Sequence, residues 1–335
     1  MNPFHYQRAS SSDAAIELRS QQDNSRFLAG GTTLLDLMKC GVEQPETLID
    51  ISQLSGLDTL RFEDDKITIG ALASMSQLAD HPQCQALAPA IYGSLWQAAS
   101  PQLRNMATIG GNLRQRTRCV YFRDPATFPA CNKRQPGSGC AALDGVNANH
   151  AIFGTSDSCI AVYPGDLAIA LTAFDAQVVL RNSQQQERRV AIDDFFLLPG
   201  DRPDQEHDIA ADEMIIAVEV PNVPALRQSH YLKVRDRASY EFAAASAAVG
   251  LEIEDGVIRD VRIALGGLAT KPWRATTVEQ ALRGKPFSEE ALRLAAEQSI
   301  ADADPRPQSQ FKVTLTPRVI VRALLAAAEP AQRGE

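Results

Sequence analysis

At 335 residues the chain is too long for one ordinary core and long enough for two or three domains. Hydrophobic residues make up 44% and charged residues 22%, which excludes a disordered chain, and a formal charge of −8 with both signs interspersed excludes a broad electropositive face for nucleic acid. No run of about eighteen apolar residues is present, and the start MNPFHYQRAS lacks the basic-then-apolar order of a signal peptide, so the chain by itself is expected in the cytoplasm, with no membrane partner.

In chain order, Ser10 followed by Asp13 reads as a capping box opening a helix through Ala14, Ala15 and Leu18. RFLAGGTTLLDLMKCG gives a short apolar run, a Gly-Gly turn, and a helix that Gly41 closes. ETLIDIS predicts a strand, LDTLRFE and KITIGA a hairpin across Asp64-Asp65, and SMSQLADH and LAPAIYGSLWQAA helices. NMATIGGNL brings a second glycine turn. Beyond a cysteine-rich stretch, DLAIALTAF predicts a helix, AQVVLRNS and ERRVAIDDF a hairpin, and MIIAVEVP an alternating strand ending at Pro221. Pro221 and Pro224 mark a boundary. HYLKVRDR, AAASAAVGLEIE and VIRDVRIALGG predict strands, the last two joined at Asp255-Gly256. TTVEQALRG, SEEALRLAAEQSIADA and TPRVIVRALLAAAEP predict three helices. The whole reads as α+β without an internal repeat, its last hundred or so residues an antiparallel sheet backed by helices.

The glycine-containing turn at Thr108, Gly110, Gly111 and Asn112 can bring bare backbone N–H groups close to an anionic ligand, an approach that side-chain-bearing residues would obstruct. Neither glycine turn is a Rossmann fingerprint or a P-loop: AGGTT at Ala29 to Thr33 lacks both the G-x-G-x-x-G spacing and the G-K-[ST] ending. Each alone also reads as an ordinary strand-to-helix turn. Residues 114–161 hold Cys119, Cys131, Cys140 and Cys159 among Arg, Pro, Gly, Ser and Asn, with only scattered apolar residues, so a covalent or metal centre is expected to order them. Intervening lengths of eleven, eight and eighteen residues fit neither C-x-x-C knuckles nor ferredoxin runs. Free thiols, disulfides, zinc and iron–sulfur all stay open. Arg114, Arg116, Arg118, Lys133 and Arg134 either offset a negative centre or form a solvated basic face. His150 is expected on the surface, and Cys40 and Cys84 as packing thiols.

Taken together, RFLAGGTTLLDLM, NMATIGGNL, YPGDLAIAL and YLKVRDRASYEFA resemble, in that order and over nearly the whole chain, the flavin subunit of the molybdenum hydroxylases. The resemblance implies a two-part FAD-binding domain of the vanillyl-alcohol-oxidase (PCMH) type over residues 1–222 and a C-terminal domain of the carbon monoxide dehydrogenase flavoprotein type over 228–330. It implies that Phe27, Leu28, Ala29, Gly30, Gly31, Thr32, Thr33 and Leu34 wrap the pyrophosphate and ribityl chain, and that Thr108, Ile109, Gly110, Gly111 and Asn112 contact FAD from the other side. Asp166 matches the family's acidic residue on FAD, Ile215 an apolar contact, and Lys233 a lysine near the flavin, although on its own Lys233 reads as a solvated strand-edge lysine. Ala98 stands where some relatives place an aromatic ring beside the isoalloxazine. Backbone donors and hydroxyls without a P-loop lysine suit a diphosphate that is held and never cleaved.

Some members of the family insert a cysteine loop here that binds a 4Fe–4S cluster. The loop resembles theirs, which implies Cys119, Cys131, Cys140 and Cys159 as its ligands. The implied protein is an oxidoreductase subunit most similar to periplasmic bacterial aldehyde oxidoreductases. There aldehyde oxidation would occur at a molybdenum cofactor on a large subunit, 2Fe–2S clusters would sit on a small one, and this chain would pass electrons to an acceptor protein or oxygen. Export would need a signal on a partner. Other readings are a flavin subunit of xanthine dehydrogenase or hydroxybenzoyl-CoA reductase type, a stand-alone flavin oxidase, and a zinc- or disulfide-bearing scaffold.

Overall fold

The computed structural model describes residues 1–329; the expected end of the second domain, Pro330, lies outside them. Three sheets carry the fold. The first is parallel, with β1 (His5–Arg8) and β2 (Ser25–Leu28) flanking β3 (Thr47–Asp50). The second has the order β4-β5-β8-β6-β7 and is antiparallel, built from β4 (Leu60–Phe62), β5 (Lys66–Gly70), β6 (Gln177–Arg181), β7 (Glu187–Ala191) and β8 (Met214–Pro221). The third is the antiparallel set β9 (Ser229–Val234), β10 (Ala245–Glu254), β11 (Val257–Gly266) and β12 (Trp273–Arg274). Helices Thr276–Leu282, Glu289–Ala296 and Phe311–Ala328 back it, as expected.

The hairpin of β10 and β11 turns on Asp255 and Gly256, both at positive φ (51° and 74°), the backbone that an Asp-Gly pair supplies at least cost. Two expected boundaries shift. The first helix runs Ser12–Ser20 and is capped by Ser11, whose hydroxyl accepts the Ala14 N–H at 3.1 Å, one residue later than the Ser10 reading. The last helix starts at Phe311 and continues through Pro317. Its first turn is held by the buried Lys312, whose Nζ donates to the His150 and Gly267 carbonyls at 2.9 and 2.7 Å.

The helix Leu167–Ala173 is apolar except for Thr172 and buried at every position, so it must be enclosed rather than laid on a surface. It lies in a core that runs from Ile67, Ile69 and Val218 of the second sheet to Tyr231, Ala248 and Ala264 of the third, so burial continues across Pro221 and Pro224. The far face of the third sheet packs on its own helices around Val249, Ile263, Ile320 and Leu324.

Candidate functional site

The parallel sheet ends in the first glycine turn. In open sheets of this kind ligands bind beyond the carboxyl ends of the strands, and here the chain leaves β2 at Leu28 and enters a helix at Leu34. Gly31 sits at φ 71°, the left-handed backbone that favours glycine. Among the described residues, the N–H groups of Gly30, Gly31, Thr32, Thr33 and Leu34 make no hydrogen bond within the protein. Five consecutive free donors at a helix start form an anion-binding nest.

This nest opens into a cleft of about 890 Å³, the size of a site for a large cofactor. Of the residues that the sequence singled out, Phe27, Ala29, Gly30, Gly31, Thr32, Thr33, Leu34, Thr108, Gly110, Gly111 and Ile215 line it. Leu28, Ala98, Ile109, Asn112, Asp166 and Lys233 are not in its lining.

The second glycine segment differs from the expected open turn. It is a short helix, Ile109–Leu113, capped by Thr108, whose hydroxyl accepts the Gly111 N–H at 3.3 Å. The Ile109 and Gly110 N–H groups donate to the Ala73 and Ala71 carbonyls, and that of Asn112 to Thr108, so the free donors of the site belong to the first turn. Ala98 is buried, Asn112 Nδ2 lies 3.4 Å from Met75 Sδ, and Ile109 is fully in the core. Lys233 is also buried rather than solvated at a strand edge: its Nζ lies 2.8 Å from Asp166 Oδ2, and Tyr231 donates to Asp166 Oδ1 at 2.6 Å. A buried charged pair of this kind persists only when each member satisfies the other.

Sequence reading singled out Arg114, Arg116 and Lys133 but missed their acidic partners in the charged wall of the cleft, Glu43 and Glu206. Arg116 pairs with Glu43 at 2.7 Å and with Glu206, and Lys133 reaches Glu206 at 2.8 Å. Burial disfavours the Glu206 carboxylate, but Lys133 and Arg116 outweigh it and hold the carboxyl down to about 2. Burial and then Arg114 push His207 down to about 3, so the ring is neutral and its Nε2 meets the Leu113 carbonyl at 3.1 Å. Arg19, Arg26, Arg116 and Arg188 all line the cleft and are all engaged by protein acceptors. Arg114 lines it too and, among the described residues, has no side-chain hydrogen bond or ion pair. The basic residues of the insert are therefore mostly paired, including Arg118 and Arg123 on Asp36.

The four loop cysteines, spread over the insert, come together around one pocket, with Tyr121, Phe122 and Lys133 between them. Cys131 and Cys140 face each other across a single antiparallel bridge. All six cysteines of the chain are free, so the disulfide alternative is not realised. Among the described residues no three His, Cys, Asp or Glu side chains converge tightly enough to hold one metal ion as they stand. Burial pushes the Cys119 thiol up to about 12 and also raises Cys159. With no metal on it, a thiol raised as far as Cys119 is a poor nucleophile, which argues against a nucleophilic role for that residue. Cys84 is likewise pushed up to about 12 in the core, while Cys40, half-buried, accepts a contact from Arg123 at 3.7 Å.

The insert also has packing of its own, contrary to the expectation of a loop ordered by a centre alone. Tyr121, Phe128 and Ile160 cluster with Ala142, and Phe122 with Leu37. His150, expected on the surface, is buried, with Nε2 3.3 Å from Cys119 Sγ.

The model of the FAD binding domain in molybdopterin dehydrogenase matches residues 2–223, and that of the CO dehydrogenase flavoprotein C-terminal domain matches 230–327. The chain belongs to the FAD-binding subunits of the molybdenum hydroxylases. It is 40% identical over 329 residues to the aldehyde oxidoreductase FAD-binding subunit of Escherichia coli (strain K12), covering 98% of this chain and 99% of that one. It is 26% identical to the glyceraldehyde dehydrogenase medium chain of Sulfolobus acidocaldarius, over 90% of this chain and 89% of that one. Carbon monoxide dehydrogenase from Hydrogenophaga pseudoflava superposes with a TM-score of 0.75 at 27% identity, with 97% of each chain covered. The flavin subunit is thus an oxidoreductase component that binds FAD, and the nest, the cleft volume and the absence of a phosphate-cleaving lysine motif in AGGTT fit that cofactor.

Proposed function

We propose that this flavin subunit carries FAD and a 4Fe–4S cluster and transfers electrons within a molybdenum-dependent aldehyde oxidoreductase. The observation that carries the reading is the gathering of Cys119, Cys131, Cys140 and Cys159 around one pocket in a chain of this family. In a cubane each thiolate binds a different iron, so the sulfurs surround a common space instead of closing on one point. Single-ion zinc needs the tighter arrangement, with sulfurs about 2.3 Å from the metal. When bound, the flavin supplies two-electron and the cluster one-electron chemistry.

The chain's own residues bind, orient and insulate. The Gly30 to Leu34 amides and Arg114 hold the diphosphate, Thr108, Gly110 and Gly111 close the opposite wall, and Ile215 gives an apolar contact. The Asp166–Lys233 pair ties the start of the helix Leu167–Ala173 to β9. Lys133 lines the cysteine pocket and pairs at 2.8 Å with Glu206, which lines the cleft, so one ion pair spans the wall between the two sites. Substrate oxidation belongs, in this reading, to a molybdenum-cofactor large subunit, with 2Fe–2S clusters on a small one and an acceptor protein or oxygen at the end. The likeness to the Escherichia coli aldehyde oxidoreductase subunit supports aldehyde as the substrate class; a periplasmic complex exported by a signal-bearing partner is what the sequence resemblance implies.

The test is the absorption spectrum of the anaerobically purified chain, with iron, acid-labile sulfide and flavin counted. Roughly four irons per chain are expected, together with FAD released by acid precipitation, since neither glycine turn holds a His or Cys to tether it. Zinc without iron or acid-labile sulfide would overturn the cluster and leave the flavin standing. Aldehyde turnover by the isolated chain would favour a stand-alone flavin enzyme instead.

A further inference from the structure

We propose that His150 donates a hydrogen bond to Cys119 and thereby sets the reduction potential of the iron–sulfur centre; this rests on the cluster reading above. His150 Nε2 lies 3.3 Å from Cys119 Sγ. Among the described residues it is the only side chain in hydrogen-bonding contact with any of the four loop sulfurs; the remaining donors are backbone N–H groups, those of Phe122 and Tyr121 on Cys119 and that of Ala161, 3.5 Å from Cys159 Sγ.

Its position is fixed from several directions. The His150 N–H donates to the Asn147 carbonyl at 3.0 Å, the Ala151 N–H to Ile160 at 3.0 Å, and the His150 carbonyl accepts the buried Lys312 Nζ at 2.9 Å. The terminal helix therefore clamps the backbone that presents the ring. A ligating thiolate has no proton to give, so the contact requires the hydrogen on Nε2. That assignment also accounts for the other ring nitrogen: Nδ1 is buried without a partner, and a bare acceptor there is less costly than a buried N–H with nothing to donate to.

Donation to the sulfur withdraws negative charge from the ligand. Reduction adds an electron to an already negative centre, so the donor favours the reduced form and raises the potential. A histidine that only fills the core would leave the potential unmoved.

The experiment uses the full-length chain, purified anaerobically, with wild type, His150→Gln and His150→Leu compared by iron count and EPR-monitored redox titration. Glutamine keeps an N–H donor and leucine removes it. The expected result is wild-type iron in both variants, a cluster potential shifted to more negative values in His150→Leu, a near-normal potential in His150→Gln, and an unmoved flavin potential. Equal potentials in wild type and His150→Leu would overturn the proposal, as would equal shifts in both variants. If His150→Leu fails to retain iron, the deciding measurement is hyperfine coupling from nitrogen-labelled histidine in the reduced wild-type protein, and its absence overturns the donor role. A wild type without iron would overturn the cluster reading and this inference with it.

Discussion

A Cβ built on Gly30 falls 1.7 Å from the Met106 carbonyl oxygen, whereas one built on Gly111 meets only the Thr108 hydroxyl at 2.8 Å. The two glycines look equivalent in the sequence, where positive φ is the expected reason for both. In the fold only Gly31 of the first turn is at positive φ, Gly30 is required by close backbone approach, and Gly111 lies in a helix. Gly30→Ala must push β2's exit turn away from Met106, at an overpacking cost of about 1–3 kcal/mol, and it displaces the free N–H groups with it. Most of the FAD should be lost. Gly111→Ala gains helix propensity of up to about 1 kcal/mol against the strain on the Thr108 cap, so its stability should stay near wild type. Flavin content and thermal melting of the two variants check this, and equal FAD loss would mean that the second segment, too, touches the phosphates directly. Which glycine segments line the cleft was legible here. Which N–H groups were free was not, because the partners of Ile109 and Gly110 are carbonyls of Ala73 and Ala71, some forty residues earlier.

The insert shows the same limit at the scale of an element. Its cysteines could be read directly, but its stability could not, since Tyr121, Phe128, Ala142 and Ile160 are far apart in sequence and form a cluster only when folded. Arg134 adds to this by donating to the Tyr121 and Phe122 carbonyls at 2.5 and 2.7 Å, closing the short helix Val120–Arg123 from outside the helix. Cys131→Ala should therefore not unfold the whole of 114–161. It should abolish the iron signal and open the segment between Asn132 and Asn147, where the chain relies on turns and on the Asn132–Gly139 contacts at 2.8 Å. Limited proteolysis with mass mapping is the measurement. FAD should be largely kept, because the nest lies outside the insert, and wild-type resistance to protease in the iron-free variant would show that the loop needs no centre to fold.

Across the whole molecule, one acidic side chain joins parts that the sequence keeps far apart. Glu206, on the segment before β8, meets Arg116 at the start of the insert and Lys133 within it, while Arg116 also holds Glu43 beyond the first glycine-turn helix. Because the folded carboxyl is held at about 2 against an ordinary 4.5, the folded protein binds fewer protons than the unfolded chain between those values. The resulting stability is fully present above about 4.5 and is lost as pH falls through about 2. Glu206→Gln keeps the shape and removes the charge. A fully buried pair broken this way costs about 3–5 kcal/mol, and the residual 17% exposure of the side chain lowers the expectation toward about 2 kcal/mol. Denaturant melts of wild type and variant across acid pH should show a gap that is constant at neutral pH and closes as the wild-type carboxyl protonates. A gap independent of pH would mean that glutamine fails for reasons of packing, and that the ion pairs between cleft and cysteine pocket contribute nothing measurable.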